Sequence, residues 1–115
     1  MEQCVEIFAA SYSHGKNTDY ISVMYYKESF RVFRGAAEYA THEGAQLRAV
    51  IKALEVLRYP IRVTIYLSSK KLAVVLGERL GGYMHLGNID RQENAPLLKH
   101  YYELAQKHRI TLAPL

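Results

Sequence analysis

Residues 41–57, THEGAQLRAVIKALEVL, form the segment on which the fold prediction depends. Its large apolar residues recur at helical spacing, on a single stripe made of Leu47, Val50, Ile51, Leu54 and Leu57. Thr41 is a suitable N-cap, and Glu43 is favourably placed in the first turn. The segment therefore predicts an amphipathic helix that begins at His42 and is ended by Pro60.

The segment after this helix predicts a strand followed by a second helix. Residues 61–67, IRVTIYL, alternate apolar and polar side chains without a break, which is typical of a half-buried strand. Ser68 or Ser69 can cap the second helix, whose apolar positions are Leu72, Val75 and Leu76. Residues 80–93 contain three glycines and predict no defined element.

The last part of the chain predicts a third helix and a short strand. Asn94 and Pro96 are favourable at a helix start. The apolar stripe that follows consists of Leu97, Leu98, Tyr101, Leu104 and Ala105. Residues 109–112, RITL, then predict the final strand.

Upstream of the first helix, the sequence predicts three strands. Residues 5–9 form an apolar run, and residues 11–17 are rich in turn formers and predict a loop. Residues 20–27 and 30–34 alternate around a short polar break and predict a hairpin. The predicted order is β-β-β-α-β-α-α-β or β-β-β-α-β-α-β, which indicates a mixed sheet covered by helices.

These segments, in this order, resemble the ribonuclease H-like family. The 41–57 helix is similar to that family's first helix, with its ELxAxxxALExL pattern. The matching segments are residues 5–8, 41–57, 62–69 and 96–112, so the resemblance spans nearly the whole chain, with residues 80–93 unmatched. The resemblance implies a single domain over residues 1–115, of the α/β class, with a mixed five-stranded sheet flanked by helices and the C-terminal helix missing.

The same resemblance implies a site for two Mg²⁺ ions held by carboxylates. In the family an Asp ends the first strand, a Glu lies early in the first helix, an Asp ends the fourth strand, and a fourth acid follows the last strand. The matching positions here are Ala10, Gln46 and Ser68, and the chain ends at Leu115 before the fourth. Without anions, nothing offsets the repulsion between two divalent ions. We therefore predict no metal site, no cofactor and no enzymatic activity. The chain would then be a catalytically degenerate member of the family.

The cleft beside these positions is expected to face an RNA–DNA hybrid and to contact 2′-hydroxyl and phosphate groups. The candidate binding residues are Ser11, Ser13, Lys16 and Asn17 in the predicted loop, Gln46 on the first helix, and Lys70 and Lys71 at the second helix. Simpler roles remain open. Gln46 can be a solvated helix residue, Ser68 and Ser69 can be ordinary N-caps, and the two lysines can be a solvated helix start.

Composition agrees with a small basic protein. Fifteen Lys and Arg against eleven Asp and Glu give a formal net charge of +4, which permits attraction to phosphate without requiring it. Cys4 is the single cysteine, so no internal disulfide can form. No apolar run approaches the roughly 18 residues of a membrane span, and residues 1–5 do not resemble a signal peptide. We expect a cytoplasmic protein with no membrane partner.

Three functions remain in competition at this stage. The first is a non-catalytic domain that binds RNA, duplex or RNA–DNA hybrid. The second is a protein-interaction or oligomerisation module, for example a homodimer. It is favoured by ten tyrosines and by a missing terminal helix that would leave a sheet face uncovered. The third is a nuclease with a non-standard site, in which His14 and His42, with Glu43 beside them, supply the chemistry.

Overall fold

The computed structural model describes residues 4–38 and 40–115, so the predicted lack of a signal peptide at residues 1–3 lies outside the described residues. The elements in chain order are β1 (Cys4–His14), β2 (Asn17–Tyr26), β3 (Ser29–Glu38), α1 (His42–Glu55), β4 (Arg62–Leu67), α2 (Lys70–Val74), α3 (Leu80–Leu86), α4 (Ala95–Ala105) and β5 (Arg109–Pro114). A π-helical turn, Val75–Arg79, joins α2 to α3, and a 3₁₀ turn, Ile89–Arg91, precedes α4.

The five strands form one mixed sheet in the order β3-β2-β1-β4-β5. β1, β2 and β3 pair antiparallel, whereas β4 pairs parallel with both β1 and β5. This is the predicted mixed five-stranded sheet flanked by helices, but the three helices α2, α3 and α4 between β4 and β5 are one more than the longer of the two predicted element orders allows. The predicted absence of a C-terminal helix concerns what would follow Leu115, and it stays a prediction.

The prediction of a loop over residues 11–17 is wrong. β1 continues to His14 and β2 begins at Asn17, with Ser11 opposite Tyr20 and Ser13 opposite Thr18. Cross-strand pairing decides this segment, because ladder hydrogen bonds and packed neighbours outweigh the turn preference of single residues. The turn itself is short and centres on Gly15, whose φ of +59° suits a residue without a Cβ.

The helix starts agree with the predicted caps in two of three cases. The Thr41 hydroxyl accepts a hydrogen bond from the Gly44 N–H at 3.1 Å, and the Ser69 hydroxyl accepts one from the Leu72 N–H at 3.1 Å. Asn94 does precede α4, but its side chain makes no capping bond. Residues 80–93, for which no element was predicted, contain α3 and the 3₁₀ turn.

The core lies between α1 and one face of the sheet. Along β1, Val5, Ile7 and Ala9 are buried against the apolar stripe of α1, because successive side chains of a strand point to opposite faces. The other face, here called the open face, carries the even-numbered residues of β1 and their cross-strand partners. It includes four exposed large apolar side chains, Tyr12, Tyr25, Phe30 and Val32. Within the described residues, no helix is long and apolar enough to cross a membrane.

Two glycines should respond to alanine substitution with opposite signs. A Cβ at Gly35 would lie 2.2 Å from the hydroxyl of buried Tyr20, so Gly35→Ala forces that ring to move and should destabilise the fold by about 1–3 kcal/mol. Gly81 lies in α3 with nothing within 4 Å of such a Cβ, so Gly81→Ala should stabilise by about 0.5–1 kcal/mol. Urea unfolding of both variants measures this. Equal stability of the two variants would contradict the packing described for β3.

Candidate nucleic-acid interface

A polar site lies where β1 and β4 separate. The two strands pair in parallel as far as Ala9 and Leu67, and the last contact is a bond of 3.4 Å from the Ser68 N–H to the Ala9 carbonyl. Beyond it, β1 continues alone beside β2. The first turns of α1 lie over this gap, so residues from β1, α1 and the end of β4 meet there.

Gln46 of α1 fills the gap and is almost fully buried, with 2% of its surface exposed. Its Nε2 donates to Ser11 Oγ at 2.8 Å and to Ser68 Oγ at 2.7 Å, while its Oε1 accepts from the Ser69 N–H at 3.1 Å. The backbone N–H can only donate, so it fixes which end of the amide is the oxygen. The interpretation of Gln46 as a solvated helix residue is therefore wrong.

His42 extends this network to the surface. Its Nδ1 lies 2.8 Å from Ser11 Oγ and its Nε2 lies 3.1 Å from Ser13 Oγ. A continuous chain of hydrogen bonds results, from Ser68 through Gln46, Ser11 and His42 to Ser13. We call these five residues the polar cluster. It contains hydroxyls, an amide and an imidazole, and no carboxylate.

Ser11, and not Ala10, meets Gln46 and Ser68. Side chains alternate along β1, so Ser11 and Ser13 share the α1 side with Ala9, while Ala10 lies opposite Ile21 on the open face. The resemblance placed Ala10 at the end of a short strand. Ala10 therefore lies outside the polar cluster, and Ser11 is the residue of β1 that bonds Gln46.

The other four candidate binding residues are outside the polar cluster. Lys70 and Lys71 are exposed at the start of α2, directly after Ser69. Lys16 is in the β1–β2 turn, with its Nζ 3.4 Å from Glu38 Oε1, and Asn17 opens β2. The side chain of His14 lies outside the described part of the chain. The structure thus brings Ser11, Ser13, Gln46 and Ser68 together.

The polar cluster does not fit a pair of divalent ions. Hard cations need anionic oxygens, and the groups present are neutral, with both Nε2 hydrogens of Gln46 and its oxygen already engaged. Across residues 4–38 and 40–115, no group of three or more His, Cys, Asp or Glu side chains could hold a metal ion.

His42 belongs to the polar cluster, whereas the sequence analysis names it only as a candidate catalytic residue. It was considered beside His14 and Glu43, whereas its actual partners are Ser11 and Ser13. Had β1 been predicted to run through residue 13, strand alternation would have placed both serines on the side of α1. The Ser-x-Ser spacing was therefore the available signal.

Comparison with known proteins gives curated relatives that are named ribonuclease H or HI, although no family model matches. The chain is 28% identical to ribonuclease HI of Helicobacter pylori (strain ATCC 700392 / 26695) over 110 residues, which are 94% of this chain and 76% of that protein. It is 27% identical to ribonuclease H of Helicobacter acinonychis over the same shares.

Solved structures show the same fold. LC9-RNase H1, described as a type 1 RNase H with the type 2 active-site motif, superposes with a TM-score of 0.81 at 13% identity, and the match covers all of this chain and 64% of that one. RNase H1 of the halophilic archaeon Halobacterium salinarum NRC-1 gives 0.64 at 18% identity, with 96% of this chain and 86% of that one covered. A foamy viral protease-reverse transcriptase in complex with RNA/DNA hybrid also gives 0.64, at 15% identity, with 97% and 17% covered.

These relatives overturn one prediction. The chain was predicted not to be an enzyme, yet the curated relatives that match most of its length are named for an enzymatic activity. The absence of carboxylates at Ala10, Gln46 and Ser68 argues against one set of metal ligands. The prediction went further and took this absence to exclude every kind of catalysis. The suspected resemblance itself is confirmed: the chain has the ribonuclease H-like fold, and its curated relatives are ribonucleases H.

Proposed function

We propose that this chain binds nucleic acid duplexes that contain an RNA strand, with an RNA–DNA hybrid as the preferred ligand. The observation that carries the proposal is the polar cluster, an uncharged hydrogen-bonded surface at the separation of β1 and β4. Ser13, His42 and Ser68 are exposed there, and Gln46, which is buried beneath them, connects the network through its hydrogen bonds.

The chemistry of the polar cluster suits a nucleic acid backbone. Serine hydroxyls both donate and accept, so they match the 2′-hydroxyl of RNA, which also does both. Phosphate oxygens accept only, and they can take hydrogen bonds from the same hydroxyls or from the imidazole. Because the cluster contains no carboxylate, no fixed negative charge within it repels a phosphate.

Charge beside the polar cluster favours the same ligand. Lys70 and Lys71 extend from the start of α2, next to Ser69, whose N–H bonds Gln46. α1 is 14 residues long and begins at His42, so its positive end lies at the cluster, although Glu43 in the first turn offsets part of that field. The formal net charge of +4 adds a general attraction.

The comparisons support this proposal without testing it. The curated relatives are named ribonuclease H, and one structural neighbour was solved with an RNA/DNA hybrid bound. The fold likeness to that neighbour covers 97% of this chain. The proposal for this chain rests on the polar cluster and on the two lysines.

Removal of the two lysines should weaken hybrid binding and flatten its salt dependence. Each lysine that neutralises a phosphate contributes close to one unit to the slope of log K against log salt. We expect the double variant Lys70→Gln/Lys71→Gln to reduce that slope by about two. Filter binding of a labelled hybrid between about 50 and 200 mM salt measures it.

The matched control removes the same charge elsewhere. Lys27 and Lys107 lie at the β2–β3 turn and after α4, so Lys27→Gln/Lys107→Gln should leave most of the slope intact. Equal losses in the two double variants would mean that only net charge matters. No salt-dependent association of the unaltered chain with hybrid at low ionic strength would reject the proposal.

A second candidate function is metal-independent cleavage of RNA by His42. The observation that favours it is the pair of contacts from Ser11 and Ser13, which hold the imidazole in one orientation. Nε2 faces exposed Ser13, and a ribose 2′-hydroxyl can take that serine's place. The neutral imidazole removes the 2′-hydroxyl proton, the 2′-oxygen attacks the adjacent phosphorus, and the bond to the 5′-oxygen breaks as that oxygen takes a proton from water. The products are a 2′,3′-cyclic phosphate and a 5′-hydroxyl.

This second candidate predicts cleavage of RNA in excess EDTA. His42→Ala should reduce the rate by about 100-fold or more, which is the usual contribution of a general base. Ser13→Ala leaves the imidazole in place and should retain most of the activity. Product analysis by gel and by alkaline phosphatase treatment identifies the cyclic phosphate. Failure of the unaltered chain to cleave in EDTA, or unchanged cleavage by His42→Ala, would exclude this route.

The interaction or oligomerisation module, with its possible homodimer, stays a prediction. The open face is the surface that it would use. Tyr25 contacts both Phe8 and Phe30 there, and Phe8 stacks on Tyr66 with ring centroids 4.4 Å apart. The Tyr66 hydroxyl donates to Glu6 Oε2 at 2.9 Å, and this bond to a carboxylate raises the pKa of Tyr66.

A further inference from the structure

A depression of about 500 Å³ lies on the open face of the sheet, at the end near the β1–β2 turn. Its volume is within the range of small-molecule sites, and the depression is open to solvent on the sheet face. It is lined by Tyr12, Asp19, Tyr20, Ile21, Arg34, Gly35 and Ala36. Neither the fold comparison nor the polar cluster accounts for this set of residues.

The strand register explains the shape of the depression. Tyr12 is directly opposite Asp19, which is opposite Ala36, and Ile21 is opposite Arg34. Asp19 and Ile21 of β2 lie in the middle of the depression, between Tyr12 on β1 and Arg34 on β3, and the short side chain of Ala36 leaves space beside Asp19. Tyr12 is 59% exposed, so its ring offers an aromatic surface to a ligand.

Asp19 and Arg34 bring opposite charges to this depression. They occupy diagonal positions on β2 and β3, for which the usual separation is about 7–8 Å, within reach of a long side chain. Within the described ranges, no ion pair joins them, and neither side chain makes a hydrogen bond to a described neighbour. Both groups therefore remain available to a ligand that presents donors and acceptors side by side.

Guanine is the nucleobase that matches this arrangement. Its N1–H and N2–H₂ are adjacent donors, which a carboxylate can accept together, and its O6 and N7 are adjacent acceptors, which a guanidinium can bind in bidentate fashion. Adenine has a single amino group and offers no pair of adjacent donors. Cytosine and uracil lack the O6/N7 edge.

We propose that the depression binds a guanine base, stacked on Tyr12, with Asp19 accepting from N1–H and N2–H₂ and Arg34 donating to O6 and N7. The site goes beyond hybrid binding and lies on the opposite side of β1 from the polar cluster. Tyr12 lies between Ser11 and Ser13 in sequence, so one strand serves both surfaces. The base can belong to a free nucleotide or to a single strand.

The test is a titration of the ¹⁵N-labelled chain, followed by amide chemical shifts. The probes are 5′-GMP, 5′-AMP, 5′-CMP and 5′-UMP, and two single-stranded oligouridines that differ by one central guanine. We expect GMP to shift the signals of residues on β1, β2 and β3 around Tyr12, Asp19 and Arg34, with about tenfold tighter binding than AMP. Tighter binding of the guanine oligomer than of GMP indicates a strand as the source, and the reverse indicates a free nucleotide.

The variants separate stacking from edge recognition. Tyr12→Leu should weaken guanine binding about fivefold or more, whereas Tyr12→Phe, which keeps the ring, should not. Asp19→Asn should remove the preference for GMP over AMP. The control is Tyr25→Leu, at the other end of the open face and 44% exposed, which should leave GMP binding unchanged.

Three results would overturn the proposal: no shift around the depression with either guanine probe, equal shifts with all four nucleotides, or equal losses from Tyr12→Leu and Tyr25→Leu. Filter binding of the hybrid to the same variants keeps this outcome separate from the proposed function. Hybrid binding that survives in Asp19→Asn while GMP binding is lost supports two sites. If GMP binds and the hybrid does not, the guanine site is supported and the proposed function is rejected.

Discussion

The side-chain amide of Gln46 is the interaction on which the site depends. It joins three separate parts of the chain, namely β1 through Ser11, the end of β4 through Ser68, and the start of α2 through Ser69. Because the amide is buried, each of its polar atoms would cost free energy without a partner, and each has one. The amide therefore holds α1 in place over the gap between the two parallel strands and orients the serines that reach the surface.

A neutral group at this position changes what the site can bind. A carboxylate as deeply buried as Gln46 would carry a desolvation cost of several kcal/mol unless cations compensated it. The amide needs no such compensation, and it donates two hydrogen bonds where a carboxylate could only accept. The serines and His42 are consequently organised by uncharged hydrogen bonds. Such a surface can approach phosphate without a metal ion between them, and the proposed binding of a nucleic acid backbone rests on this property.

Most of the fold could be predicted from the sequence because most helices and strands have a pattern of apolar residues within their own segment. The stripe of residues 41–57 and the alternation of residues 61–67 each identify one element and its buried side. The length of β1 depends instead on β2, whose residues pair with it as far as His14, and no local pattern contains that partner. The error placed Ser11 and Ser13 in a loop, although both lie on the α1 side of β1. The burial of Gln46 was missed for a related reason, since its neighbours come from β1 and β4.

The open face shows the same dependence on register. Tyr12, Asp19 and Arg34 are distant enough in sequence that nothing indicates a shared surface until β1, β2 and β3 are aligned. β1 then divides its functional residues by parity, with the serines towards α1 and Tyr12 away from it. β1, which pairs in parallel with β4 and antiparallel with β2, thus positions both surfaces, and both depend on the same alignment.

Hydrogen exchange at the side-chain amide of Gln46 tests the central claim most directly. The account predicts two slowly exchanging side-chain amide protons, with nuclear Overhauser contacts to Ser11 and Ser68. Two rapidly exchanging protons without such contacts, as a solvent-exposed glutamine shows, would contradict it.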